Sequence, residues 1–139
     1  NAIAKKRLKP LYITVEILDP ENVQHAKSAG ANEVIESTRL SYSMLSHSIA
    51  EKGTGGVVSS IISARAQNIY VIQDVNKLPL PMNFDDVCQR MRHEYGVLVI
   101  GVRDKYLQVE TVNPPIDFMV TKNHSIIYLA TKSIGKPID

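Results

Sequence analysis

Three acids in one short stretch are the residues best placed for chemistry. Glu16 interrupts the apolar run Leu11-Tyr12-Ile13-Thr14-Val15-Glu16-Ile17, and Asp19 and Glu21 follow closely. Carboxylates are the oxygen donors that a hard cation such as calcium takes. A carboxylate inside a buried strand is costly unless it is paired or bound to metal. Each acid also has a structural use. Asp19, just before Pro20, is placed to cap a helix, worth about 1 kcal/mol. Glu21 in the first turn complements the helix dipole. Glu16 can pair with a lysine. The residues alone leave both readings open.

Other chemistry has no pattern to stand on. The chain contains neither GxGxxG nor GxxxxGK[ST]. Gly53, Gly55 and Gly56 follow a helical pattern, whereas a phosphate cradle needs a strand before its glycines and a helix after them. They read as a hinge. His25, His47, His93 and His124 lack metal-ligand spacing, and no GxSxG elbow is present. Asp85-Asp86 opens a helix, where dipole compensation explains it. The single cysteine, Cys88, excludes an internal disulfide framework and a cysteine-rich zinc site. Between Val87 and Met91 in a helical pattern, it reads as a buried structural thiol of a reducing compartment. The expectation is a chain that is not an enzyme.

Bulk composition excludes other classes. The 139 residues are 44% hydrophobic and 22% charged, ordinary for a globular fold. A net charge of +2 is too small to argue for nucleic acid or a membrane surface. Lys5, Lys6, Arg7 and Lys9 cluster, as on a solvated helix face or a fraying end. No apolar run approaches the about 20 residues that span a bilayer, and no signal-peptide pattern appears.

The elements that must position these residues follow from periodicity. Residues 11–17 read as a strand, almost continuously apolar as buried parallel strands are. A helix runs from Pro20 to about Ser28 and stops at Gly30. Residues 32–35 form a short strand. Leu40, Met44, Leu45 and Ile49 recur at helical spacing, with Gly53 as terminator. Strand, helix, strand, helix with short links signals a parallel sheet. Val57, Val58, Ile61 and Ile62 then form a short apolar helix, packed either on its own sheet or across a second subunit.

Beyond residue 68 the texture changes. Residues 69–75 are strand-like, and Leu78-Pro79-Leu80-Pro81 is an extended connector. Asn83, with Asp86 three residues on, opens a helix that Tyr95-Gly96 ends. Residues 97–103 and 106–111 form a hairpin around Asp104-Lys105. Asn113-Pro114-Pro115 breaks the run, and a turn at Lys122-Asn123 precedes a strand over 125–130. The fold class is therefore α/β: the C-terminal half of a Rossmann-like parallel-sheet lobe over 1–66, with a crossover helix near 57–66, then a small α+β lobe over 67–139.

The stretch 13–35, ITVEILDPENVQHAKSAGANEVI, resembles the second half of the Rossmann lobe of RCK domains, which regulate potassium conductance. It is also similar to TrkA-type potassium uptake proteins. The likeness is carried by the acid in the strand, by Glu21-Asn22-Val23 and Ala29-Gly30-Ala31 bounding a helix, and by Glu33-Val34-Ile35. Leu40-Ser41-Tyr42-Ser43-Met44-Leu45 followed by His47-Ser48-Ile49 looks like the next helix of that family. Tyr95-Gly96-Val97-Leu98-Val99-Ile100-Gly101-Val102-Arg103 and Asn113-Pro114-Pro115 look like its C-terminal ligand lobe.

The resemblance implies two lobes joined by a helical crossover, and homodimers built on Val57, Val58, Ile61 and Ile62. It implies a gating ring beneath a membrane pore domain, on the cytoplasmic face, with divalent cations or adenine nucleotides as ligands. The sequence departs from the family in two places. The family's glycine-rich nucleotide loop is absent from this chain. Calcium-gated members carry a second acid two residues after the position of Glu16, where this chain has Leu18. The function expected is a ligand-sensing regulatory domain that gates a potassium channel. The alternatives are a regulatory nucleotide-binding subunit of a potassium transporter and a fragment of a nucleotide-dependent dehydrogenase.

Overall fold

The computed structural model describes residues 11–63, 67–73 and 78–135. The basic cluster at 5–9, the expected lobe boundary at 66 and the end of the strand expected over 69–75 lie outside those residues. The chain divides into two compact units between Gly56 and Val57.

In the first unit, β1 (Thr14–Ile17) and β2 (Glu33–Glu36) run parallel, with Val15 opposite Val34 and Glu16 opposite Ile35. Between them lie a 3-10 turn, Pro20–Asn22, and α1 (Val23–Ser28). Gly30, at φ +100°, makes the left-handed turn out of α1, which glycine tolerates without steric cost. Asn32 fixes the start of the pairing. Its side-chain oxygen accepts from Ile13 N–H at 2.8 Å, while its own N–H donates to the Ile13 carbonyl at 2.8 Å. Next comes α2 (Ser37–Ala50), and then α3 (Thr54–Ile62), whose first three residues belong to this unit and the rest to the second.

The expected doubly buried strand is corrected here. β1 is shorter than 11–17, and its side chains alternate between exposed and half-buried. Glu16 lies on the exposed side of that alternation, so it carries no burial cost in this chain. The physical reason is the period of two along a strand, which puts Thr14 and Glu16 on one face and Val15 and Ile17 on the other.

The second unit holds the core. Its main sheet is antiparallel with strand order β3-β8-β5-β6, built from β3 (Asn68–Ile72), β5 (Leu98–Asp104), β6 (Glu110–Val112) and β8 (His124–Ala130). A short ladder pairs β4 (Met82–Asn83) with β7 (Met119–Val120). Along α4 (Phe84–Tyr95), Phe84, Val87 and Met91 fall on one stripe and are buried. They pack with Val99, Val102, Val120, Ile126 and Tyr128. Burying each such side chain is worth about 1.5–3 kcal/mol.

Local chemistry sets both ends of α4. Asn83 Oδ1 accepts from Asp86 N–H at 2.8 Å, and Asp85 and Asp86 occupy the first turn. Gly96, left-handed at φ +68°, donates its N–H to the Arg92 carbonyl at 3.0 Å.

The β5–β6 hairpin differs from the two-residue turn expected. Asp104 Oδ1 accepts from the N–H groups of both Tyr106 and Leu107 at 2.8 Å, and Gln108 adopts φ +56°. These bonds stabilise a five-residue loop over 105–109, so β6 starts only at Glu110. The β5–β8 pairing shifts register between Val99 and Gly101, and at Gly101 the β5 backbone lies close against β6.

Candidate functional site

The three acids occupy the segment that leaves β1. Asp19 is the N-cap read in the sequence: its Oδ1 accepts from Glu21 N–H at 3.1 Å, and its carbonyl accepts from Asn22 N–H at 3.0 Å. Glu21 is the acid of that first turn, and Glu16 projects from the exposed face of β1. Among the described residues, no three His, Cys, Asp or Glu side chains converge as a metal-binding group. With one carboxylate oxygen of Asp19 used as a cap, these acids do not fit a calcium ion by themselves.

The same unit has an open depression of about 640 Å³ that the motifs did not reveal. Pro20, just past β1, and Glu36, at the end of β2, form one side. Thr38, Tyr42 and Ser46 together with Arg39, Ser43 and His47 form the other. The depression lies beyond the carboxyl ends of the parallel strands, where open α/β sheets bind ligands. Arg39 makes an exposed ion pair with Glu36 at 3.8 Å. The available signal was the four-residue spacing in the two sets, which places them on adjacent stripes of α2.

The glycines separate into two roles. Gly53 sits in the turn after α2 at φ +94°. Gly55 and Gly56 lie within α3, which begins earlier than periodicity suggested. Thr54 also closes the turn that precedes α3: its hydroxyl donates to the Glu51 carbonyl at 2.9 Å, and its N–H reaches the same oxygen at 3.3 Å. The left-handed conformation thus falls at Gly53, while Gly55 and Gly56 are helical.

Of the expected interface residues, Val57 is 61% exposed, and Val58 and Ile61 are half-buried. Ile62 ends α3, and its side chain lies outside the described set. Tyr42, Leu45 and Ile49 lie on one side of α2 and are exposed, Ile49 to 75%. Their helical spacing predicts a packing stripe for Leu45 and Ile49, which the described residues leave uncovered.

The remaining titratable groups behave as structural ones. Burial, followed by the nearby Asp85 charge, pushes the Cys88 thiol above its usual value. That favours an inert thiol, as its helical position suggested. His25, His47 and His93 are exposed. His124 is half-buried, and its Nδ1 accepts from Thr121 N–H at 3.1 Å.

No family model matches the chain, and no curated protein does. Solved structures do. The human SLO3 gating ring aligns over 87% of this chain and 26% of its own, at 15% identity and a TM-score of 0.64. The chain shares the fold of that gating ring. Its structural neighbours also include the RCK domain of GsuK, at 15% identity over 86% of this chain and 24% of that one, with a TM-score of 0.43. The GsuK channel bound to NAD aligns at 14% identity over 88% of this chain and 21% of that one, with a TM-score of 0.44. The chain therefore spans about a quarter of the length of these neighbours.

Proposed function

We propose that this chain is a ligand-sensing regulatory piece of a gating ring, acting from the cytoplasmic face on the pore of a potassium channel. The observation that carries this reading is the fold shared with the SLO3 gating ring over 87% of the chain. In this role the chain does no chemistry. A ligand biases the ring between states by its difference in affinity for them.

Assembly uses a second copy. Tyr42, Leu45 and Ile49 on α2 and Val57 on α3 leave large apolar side chains in solvent, and a two-fold contact would bury each of them twice. At about 1.5–3 kcal/mol per fully buried side chain, such a contact offsets much of the roughly 4–15 kcal/mol cost of association. Val57, Val58, Ile61 and Ile62 of α3 are assigned to a contact between copies, with Gly53, Gly55 and Gly56 as the hinge beside it. The ligand class is an adenine nucleotide or a cation completed by groups beyond this chain, with Glu16 facing it.

Light scattering tests the assembly. Wild-type chain should be dimeric at high micromolar concentration, and Ile49→Asp should be monomeric with unchanged circular dichroism. A wild type that stays monomeric there rejects the dimer. Calorimetry with calcium, zinc, ADP and NADH on wild type and Glu16→Ala tests the ligand, and equal binding by both removes Glu16 from the site.

A further inference from the structure

The turn that leads into β8 is closed by a side chain. Thr121 N–H donates to His124 Nδ1 at 3.1 Å, and Thr121 Oγ1 lies 3.1 Å from the same nitrogen. His124 N–H donates to the Thr121 carbonyl at 3.0 Å, and Asn123 N–H reaches Thr121 Oγ1 at 3.3 Å. The edge of the half-buried ring meets Phe118, with centroids 5.4 Å apart. A backbone N–H can only donate. Nδ1 must therefore be the accepting nitrogen, and the ring proton sits on Nε2.

We propose that His124 is a proton-operated joint of the second unit, holding the Thr121 amide while neutral and releasing it when protonated. A proton on Nδ1 removes the acceptor. Nδ1–H then turns to Thr121 Oγ1, which becomes the acceptor in its place, and the Thr121 N–H loses its partner. Asp104, directly across the β5–β8 ladder, is an anion whose charge interacts with His124. Lys122 lies in the same turn, and Lys105 places its ammonium 2.8 Å from the Lys122 carbonyl.

The consequence reaches beyond the turn. Thr121 directly follows β7, whose ladder partner β4 ends in Asn83, the cap of α4. Releasing the amide loosens the seat from which that helix starts. This response to protons is independent of whether the chain belongs to a channel.

Amide hydrogen exchange on the whole chain tests it, measured by NMR at pH 7.5 and 5.5 and corrected for the intrinsic pH dependence of exchange. Protection of the Thr121 amide should fall about tenfold at the lower pH, the scale of one hydrogen bond. The Ile126 amide, in the middle of β8, serves as the control and should hold. His124→Asn keeps an acceptor oxygen at both pH values, so its Thr121 protection should stay constant. Constant Thr121 protection in wild type, or an equal fall in His124→Asn, overturns the proposal. If the variant does not fold, the wild type still decides: the Thr121 amide shift must move with the same midpoint as the His124 ring protons, and different midpoints overturn it.

Discussion

A methyl carbon built on Gly55 of α3 would stand 2.7 Å from the Ser48 hydroxyl oxygen of α2. Two helices approach this closely only where one lacks a side chain. The obstruction is the tip of a serine, with Ser48 Cβ at an ordinary 3.6 Å. Glycine to alanine within a helix gains about 0.5–1 kcal/mol when nothing clashes. Gly55→Ala alone should therefore be close to neutral, and in a Ser48→Ala background it should stabilise by about 0.5–1 kcal/mol. A double-mutant cycle by urea denaturation measures the coupling.

Gly101 presents a harder obstacle. A Cβ there would run into the Thr111 carbonyl oxygen and meet Val112 Cα at 3.0 Å, both backbone atoms of β6. Backbone cannot rotate aside as a serine hydroxyl can. Gly101→Ala should destabilise by about 1–3 kcal/mol, the range for overpacked positions. Weakened exchange protection should appear first along β6.

Asp104 makes stability depend on pH. Hydrogen bonds from Leu107 N–H and then Tyr106 N–H hold its carboxyl below the usual value, against a small opposing effect of burial, and His124 adds to the lowering. A depressed carboxyl pKa stabilises the fold above the unfolded value, about 3.9. That contribution disappears as pH falls through the folded value. The melting temperatures of wild type and Asp104→Asn should differ at pH 6 and converge near pH 2.

The core and the hairpin tip should respond very differently. Ile126 is fully buried in the α4-facing cluster, whereas Leu107 is largely exposed at the tip. Ile126→Ala should cost about 2–5 kcal/mol, and Leu107→Ala should stay within about 0.5 kcal/mol of wild type. Thermal melts of the two variants side by side check the contrast.

Legibility in the sequence followed the range of the interactions. α4 was readable at both ends because Asn83 and Gly96 act on neighbours three or four residues away. Asp19 was readable as a cap for the same reason. The exposure of Glu16 was not readable, since it depends on which face of β1 meets other parts of the molecule. Leu45 and Ile49 repeat at helical spacing whether or not anything covers them. The depression against α2 is not legible either, because Arg39, Ser43 and His47 at that spacing look like an ordinary solvated helix face. Gly55 and Gly56 read as punctuation from their poor helix propensity, yet both lie within α3.

The strand order β3-β8-β5-β6 has a consequence for how the chain is made. β8, the last strand of this sheet in chain order, occupies its middle, with β3 on one side and β5 on the other. Until it emerges, β3 has no neighbour in this sheet and β5 has only β6. At about 5–20 residues per second, the apolar faces of β3 and β5 wait for seconds before the strand that covers them exists. Vectorial synthesis therefore holds this unit open until nearly all of it has been translated. A nascent chain released before His124 would be a sticky pair of half-sheets, a substrate for chaperones.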